Sequence, residues 1–205
     1  MTLIVGAAIV VGLLAGLFRG GHLAAIGEAR LRLLWIVPLA LVAQIVLVRV
    51  VGARIPWWVL PVQGATYGLL LVFVLANRSV LGVSVIGVGL LLNATVILAN
   101  GGLMPQAPET ARLRHAGVTI AIGEHIPGTK DVLLERDATR LWWLSDHLVL
   151  PALDDRPSIN SPGDLVLAAG LAVTVFGLTR RPHPRLAAPP ARGPAAPSVA
   201  GPRGD

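Results

Sequence analysis

The stretch that decides the fold is VLGVSVIGVGLLLNATVILANGGLMP, residues 80–105. Its first twenty residues carry no charge, and a helix needs about 20 apolar residues to cross the hydrocarbon core of a bilayer. The Asn-Gly-Gly at 100–102 then ends the helix, because Asn and Gly accept the left-handed conformation that closes helices, and Pro105 keeps it closed. The stretch therefore predicts a membrane span from Val80 to Ala99 followed by a turn.

The composition of the whole chain is that of a membrane protein. Of 205 residues, 54% are hydrophobic and only 14% are charged, more than one soluble core of this size needs. There are no cysteines, which excludes disulfides, iron–sulfur clusters and thiolate zinc sites. The net charge of +6 comes from arginines spread over loop ends, so no nucleic-acid partner is expected. The Ala-, Gly-, Pro- and Arg-rich composition indicates a GC-rich bacterial genome. We predict a multi-pass protein of the bacterial plasma membrane, surrounded by the lipid bilayer and without a cofactor.

Five apolar segments are predicted to span the membrane, which makes the protein an all-α polytopic membrane protein with a membrane domain over residues 1–181. The segments are 2–18, 33–48, 57–76, 80–99 and 164–179. Arginines follow the first, third and fifth segments, and cytoplasmic loops retain positive charge. The N-terminus is therefore predicted outside and the C-terminus in the cytoplasm. The Pro-, Ala- and Arg-rich tail 182–205 is predicted to be disordered.

A long insertion, residues 101–163, separates the fourth and fifth segments and is predicted to fold as a small external cap. Nine of the eleven acidic residues lie between its start and Asp164. Within the cap we predict a short helix over 108–116, a possible hairpin between 118–122 and 131–134, and an interfacial helix over Thr139–Leu150. The interfacial helix rests on leucines at helical spacing and on a Trp-Trp pair that suits the headgroup layer.

Asp164 stands at the outer entrance of the last span, in Ser161-Pro-Gly-Asp164. In this order Ser caps the helix, Pro is its first residue and Asp its third, so a capping box facing the positive end of the helix dipole explains the aspartate. A second interpretation is catalytic, because Asp146 and Asp137 lie in the same cap. Two carboxylates brought together separate their pKa values, and then one acts as acid and the other as base on a water molecule.

No ionisable residue lies near the middle of a predicted span, which disfavours proton pumps and ion-coupled transporters. The polar residues Gln44, Gln63 and Asn93 are expected to make interhelical hydrogen bonds. Transport of a neutral molecule requires that these three line a shared cavity. The histidines of the cap lack the spacing of a recognised metal site, so no metal is predicted.

Three motifs in combination resemble domain-of-unknown-function family 5317. They are Asn100-Gly-Gly-x-Met-Pro105, Thr139-Arg-Leu-Trp142 with Asp146 four residues on, and Ser161-x-Gly-Asp164. The resemblance covers Met1 to about Arg181 and implies a small bacterial polytopic membrane protein with no assigned activity. The candidate binding residues at the outer face are Asn100, Gly101, Gly102, Met104, Pro105, Arg140 and Trp142.

A second likeness is to signal peptidase II, the intramembrane aspartic peptidase of lipoproteins. Gly163–Asp164 is similar to the start of its last helix, Asp146 to its interfacial aspartate, and Asp137 falls about where the other catalytic aspartate lies. The chain departs from that pattern at Ser161, where the peptidase has asparagine, and at Ala138, where it has arginine. The likeness implies catalysis by Asp164, Asp146 and Asp137.

Two functions follow from these patterns. The first is a non-enzymatic accessory or binding subunit whose outer face meets another membrane protein or a lipid. The alternative is a membrane-embedded, aspartate-dependent hydrolase acting on a lipid-linked substrate at the outer leaflet. The first expects the variants Asp164→Asn and Asp146→Asn to keep their function. The second requires the carboxylate oxygens of Asp164 and of Asp146 or Asp137 to lie within reach of one shared water.

Overall fold

The computed structural model describes residues 2–114, 119–151 and 157–180, and helices make up most of this part of the chain. The helices are α1 Thr2–Phe18, α2 Ala24–Gly27, α3 Ile36–Val50, α4 Val59–Ala76, α5 Leu81–Ala99, α6 Pro108–Arg114 and α7 Pro162–Thr179. The strands are β1 Met104–Gln106, β2 Asp131–Leu133, β3 Leu148–Leu150 and β4 Ser158–Asn160. The tail predicted over 182–205 lies outside the described residues.

Three of the helices, α4, α5 and α7, are long and apolar enough to cross a membrane. The apolar helices α1 and α3 are shorter, with 17 and 15 residues. Each of the five predicted spans coincides with one of these helices to within three residues at either end. That α1 and α3 also cross the membrane stays a prediction.

The helix α7 packs against both α5 and α1, and glycines bring the backbones of α5 and α7 into contact. A Cβ atom on Gly82 would lie 2.6 Å from the carbonyl oxygen of Gly170, and one on Gly89 would lie 2.7 Å from that of Gly163. Only glycine permits so close an approach. Because Gly82 meets Gly170 while Gly89 meets Gly163, the two helices run antiparallel.

The cap contains two small sheets, so the prediction of an all-α fold is corrected to a mostly helical fold with a few strands. β1 and β2 pair in parallel, whereas β3 and β4 pair antiparallel. β1 follows α5 after a short turn, and α7 follows β4 after a single residue. Met104 of β1 packs in one buried cluster with Tyr67 of α4, Ile97 of α5 and Leu144. This shared core fixes the cap to the helices.

The predicted interfacial helix over Thr139–Leu150 is wrong. Only Trp142–Leu144 form a short 3-10 turn, and Leu141 before it has a φ of 55°, a left-handed conformation that an α-helix does not admit. The end of the segment is β3, whose backbone is paired by β4. Leucine spacing cannot reveal a strand partner that lies further along the chain.

The predicted hairpin is present but shifted. Its second arm is β2, as predicted, but its first arm is 123–126 in place of 118–122. The N–H of Gly123 donates to the carbonyl of Leu133 at 2.7 Å, and the N–H of Leu133 donates to the carbonyl of Glu124 at 2.9 Å. The turn sets this register, because Gly128 has a φ of 75° and the paired residues His125 and Val132 lie on either side of the turn that contains it. The predicted helix over 108–116 is observed as α6, Pro108–Arg114, and residues 115–118 lie outside the described part.

Candidate functional site

Asp164 belongs to a buried network that joins α7 to α5. The N–H of Asp164 donates to Ser161 Oγ at 3.0 Å, and the N–H of Ser161 donates to Asp164 Oδ2 at 3.4 Å, which completes a capping box. From α5, Asn93 Nδ2 donates to Asp164 Oδ1 at 2.7 Å, and Asn93 Oδ1 accepts from Ser161 Oγ at 2.9 Å. Both oxygens of the Asp164 carboxylate are therefore engaged in bonds that build the fold.

The residues between Ser161 and Asp164 serve the same junction. Pro162 is the first residue of α7, where its missing N–H costs nothing. A Cβ atom on Gly163 would lie 2.7 Å from Cγ of Asn93, so any larger residue would push Asn93 away from the carboxylate. The Ser-Pro-Gly-Asp motif is thus explained by the start of α7 and its contact with α5.

The Asn-Gly-Gly turn ties the end of α5 to the segment at Arg140. Asn100 Nδ2 donates to the carbonyl of Arg140 and Asn100 Oδ1 accepts from its N–H, both at 2.9 Å. Gly101 and Gly102 have φ values of 86° and 101°, and the N–H of Gly102 donates to the carbonyl of Ile97 at 2.9 Å. Asn100 and Arg140 are therefore brought together, but through the Arg140 backbone.

Met104 and Pro105 are buried in β1, where they connect two other segments of the cap. The N–H of Met104 donates to the carbonyl of Lys130 at 3.0 Å, and the carbonyl of Pro105 accepts from the N–H of Asp146 at 3.1 Å. β1 thus lies between the segments that carry Lys130 and Asp146. Its burial brings these two ionisable residues close to the ends of the helices.

Lys130 is the centre of a group of ionisable residues drawn from the cap and from two helices. Burial opposes its charge, but its interactions with Tyr67 of α4, Asp164 of α7, and Asp146 and Asp131 of the cap outweigh that effect. The pKa of the ammonium group is therefore raised above its ordinary value of 10.5. These surroundings favour the protonated ammonium form of Lys130.

Asp146 is a buried carboxyl group of the cap whose pKa is shifted by its surroundings. Its side chain is 4% exposed. Burial, followed by the charge of Asp131, raises the pKa of Asp146 well above its ordinary value of 3.8, while Lys130 works in the opposite direction. These surroundings favour the protonated carboxylic acid. Asp146 Oδ1 has no hydrogen-bond partner within the described part of the chain.

Gln106 lies directly beside Asp146, as its partner in a parallel bridge. Gln106 is 1% exposed, and its Nε2 atom has no hydrogen-bond partner among the residues that the structure describes. Buried polar atoms without a protein partner are where ordered water normally binds. Gln106 and Asp146 are thus neighbours in the bridge, and each has one buried polar side-chain atom that no described residue satisfies.

Asp137 lies apart from this group. It is exposed, in the 3-10 turn Arg136–Ala138, and it lines a groove of about 660 Å³ on the cap. The structure therefore brings Asp146 and Asp164 into one interacting group and leaves the third predicted aspartate in a different place. The residues that line the groove are Pro108, Glu109, Ala111, Arg112, Thr119, Ile120, Ala121, Ile122, Leu133, Glu135, Arg136 and Asp137.

Trp142 lies beside the groove, in a stack of three side chains. The guanidinium carbon of Arg136 is 3.9 Å from the centroid of the Trp142 ring, a cation–π contact. The ring of His147 stacks on the ring of Trp142, and the two ring centroids are 4.7 Å apart. The predicted binding residue Trp142 thus orients a groove residue.

The polar residues of the spans form separate bonds. Gln44 Nε2 donates to Gln63 Oε1 at 2.9 Å and so links α3 to α4, whereas Asn93 bonds to residues of α7. None of the three lines the groove on the cap. Among the described residues no group of three His, Asp or Glu side chains is placed to hold a metal ion.

Sequence patterns do not single out Lys130, Tyr67 and Gln106 as site residues. One clue was available, because Lys130 is the only lysine and Tyr67 the only tyrosine of the chain. Their meeting depends on the pairing of β1 with β2 and with Asp146, and strands of three residues leave almost no periodic pattern.

Fold and site together define a mostly helical protein with three helices able to cross a membrane and a cap bonded to the end of α5. The chain belongs to the family described as "Family of unknown function (DUF5317)", whose model matches residues 28–176. The resemblance drawn from the three motifs is thereby confirmed. No curated protein and no solved structure matches the chain.

Proposed function

We propose that the protein is a multi-pass protein of the bacterial plasma membrane that serves as a non-catalytic accessory or binding subunit, with its partner site on the outer face of the cap. One observation carries this proposal. The motif side chains of Asp164, Asn93 and Asn100 are used in bonds that build the fold, whereas the groove on the cap is open and charged. Recognition is thus assigned to a surface separate from the buried network.

The proposal includes five membrane crossings, with α1 and α3 added to the three longer helices. Its support is the positive-inside rule, since Arg19 and Arg30 follow α1, Arg78 follows α4 and Arg180 follows α7. In this orientation the cap is extracytoplasmic. Trp57, at the cap end of α4, and Trp143, in the cap, are 85% and 60% exposed, which suits contact with the outer headgroup layer.

A second candidate is the aspartate-dependent hydrolase. It is favoured by the interaction of Asp146 with Asp164, since two carboxyl groups brought together can act as acid and base on one water molecule. However, Asp164 already accepts a hydrogen bond on each oxygen, and Asp137 is exposed elsewhere. This candidate needs a water held between the two buried carboxyl groups and a path by which substrate reaches them.

Photocrosslinking of the full chain in native membranes tests the binding proposal. A benzoylphenylalanine is introduced at Ile122, which is 50% exposed in the groove, and at Val173 of α7 as the control. We expect a discrete protein adduct from position 122 and not from position 173. The adduct should weaken when Glu135→Gln and Asp137→Asn remove charge from the groove. Equal or no crosslinking from the two positions contradicts the outer-face site.

The variants Asp146→Asn and Asp164→Asn separate the two candidates. The binding proposal expects folded variants to form the same adduct from position 122 as the parent protein. If the protein is the hydrolase, the parent protein in vesicles should release the fluorophore of a lipid-anchored peptide. If such release is seen, and both variants lose it at an unchanged melting temperature, the non-catalytic proposal is overturned.

A further inference from the structure

We propose that the cap groove binds a cationic peptide segment in which a lysine or arginine lies next to an aliphatic residue. This inference rests on the proposed function of the cap as a binding module and names the chemistry of its ligand. It follows from the charge, the apolar floor and the size of the groove.

The charge of the groove is acidic. Three exposed carboxylates line it, those of Glu109, Glu135 and Asp137. Two basic side chains line it as well, Arg112 and Arg136, and Arg136 is in contact with the Trp142 ring. This excess of carboxylates occurs in a chain with a net charge of +6. Complementary charge steers a ligand to a surface and selects among ligands, so the groove favours a cation.

The other basic residue of the groove is held at its edge. The guanidinium of Arg136 lies over the Trp142 ring at 3.9 Å, and Trp142 is itself braced by the stacked ring of His147. Arg136 is thereby directed toward Trp142. The carboxylate of its chain neighbour Asp137 is left to face a ligand.

The floor of the groove is apolar and firmly supported. Ala111 and Leu133 are buried lining residues that pack with Ile126 in the cap's own core, and Ile120 packs against the same cluster. Ile122 adds an exposed aliphatic side chain to the lining. The volume of about 660 Å³ is in the range that encloses drug-sized ligands. An aliphatic side chain and its basic neighbour fill such a space, which a lone ammonium group does not.

A phospholipid headgroup is a poorer occupant. Every phospholipid headgroup places a phosphate close to any amine it carries, and that phosphate would approach Glu109, Glu135 and Asp137. Like charges at such distances repel. A basic peptide segment has no such penalty, so a peptide is the occupant that the groove fits.

The test measures binding of fluorescein-labelled Lys-Leu-Lys-Leu-Lys amide to the full chain in phosphatidylcholine nanodiscs by fluorescence anisotropy. We expect saturable binding that weakens as salt is added. The variant with both Glu135→Gln and Asp137→Asn should bind roughly three- to tenfold more weakly, the effect of losing two partly screened charge pairs. Glu28→Gln, which removes an exposed carboxylate outside the groove, is the matched control and should bind like the parent.

Three outcomes would overturn the proposal. They are equal binding of Glu-Leu-Glu-Leu-Glu amide, equal binding by the double variant, and binding that requires anionic lipid and ignores both substitutions. The last would assign the peptide to the membrane surface. If the crosslink from position 122 forms but the peptide does not bind, the binding function stands and the cationic ligand fails. Both substituted residues are exposed, so an unchanged melting temperature is the check on folding.

Discussion

The substitution Asn93→Ala removes a side chain that links α5 to the start of α7. Two buried hydrogen bonds are lost, one given to the carboxylate of Asp164 at 2.7 Å and one accepted from Ser161 at 2.9 Å. A hydrogen bond to a charged group contributes about 1.5–3 kcal/mol and a neutral one about 1 kcal/mol. Polar bonds between membrane helices average only about 0.6 kcal/mol. Because the bond from Asn93 is made to a carboxylate group at the helix end, we expect Asn93→Ala to lower the free energy of unfolding by about 2–3 kcal/mol.

The matched control is Thr95→Ala, two residues further along α5. Thr95 is exposed, and its hydroxyl donates only to the carbonyl of Leu91 in its own helix. Its substitution should change the unfolding free energy by less than about 0.5 kcal/mol. The assay is equilibrium unfolding of detergent-solubilised protein, followed by circular dichroism and by tryptophan fluorescence.

A double-mutant cycle with Asp164→Ala separates this bond from general damage to the helix. A coupling energy of about 1 kcal/mol or more between positions 93 and 164 is expected, because the two side chains are in direct contact. If Asn93→Ala is as mild as Thr95→Ala, or if the cycle is additive, the buried network does not hold the junction.

Three further predictions concern the cap, the helix packing and the topology. Burial raises the pKa of Asp146 above its ordinary value of 3.8, so the parent should lose stability as the pH rises from that value toward the raised one. Asp146→Asn, which stays neutral, should flatten the dependence of melting temperature on pH. A Cβ at Gly82 would meet the Gly170 carbonyl at 2.6 Å, so Gly82→Val should cost about 1–3 kcal/mol. Gly68→Val, at a glycine with open space around it, is its control. Because the chain has no cysteine, Thr119→Cys and Gly27→Cys can be labelled singly in intact cells. A membrane-impermeant maleimide should reach position 119 at once and position 27 only after permeabilisation, and the reverse order would invert the proposed topology.

The helices could be predicted from the sequence because their apolar runs and capping motifs are local patterns. An uncharged run such as Val80–Ala99 predicts its own helix, and the Ser-Pro-Gly-Asp motif predicts the capping box observed at Asp164. The turn at 100–102 was also readable, since its glycines adopt the positive φ values that end helices.

The structure of the cap interior could not be predicted from local sequence patterns. β3 and β4 are three-residue strands that form because they pair with each other, and Leu141 adopts a left-handed conformation that no propensity favours. Lys130 meets Asp164 and Tyr67 only after β1 and β2 have paired. Of the residues that interact with Lys130, Asp146 and Asp164 were singled out from the sequence, whereas Asp131 and Tyr67 were not.

The central claim is that Asp164 builds the junction of α5 and α7, while the groove on the cap does the binding. Its most direct test is the yield of the crosslinked adduct from position 122 in Asp164→Asn, measured in membranes where the variant is folded. The account predicts a yield close to that of the parent protein, together with a clear loss in the variant carrying both Glu135→Gln and Asp137→Asn. Loss of the adduct in folded Asp164→Asn, with retention in the groove variant, would contradict it.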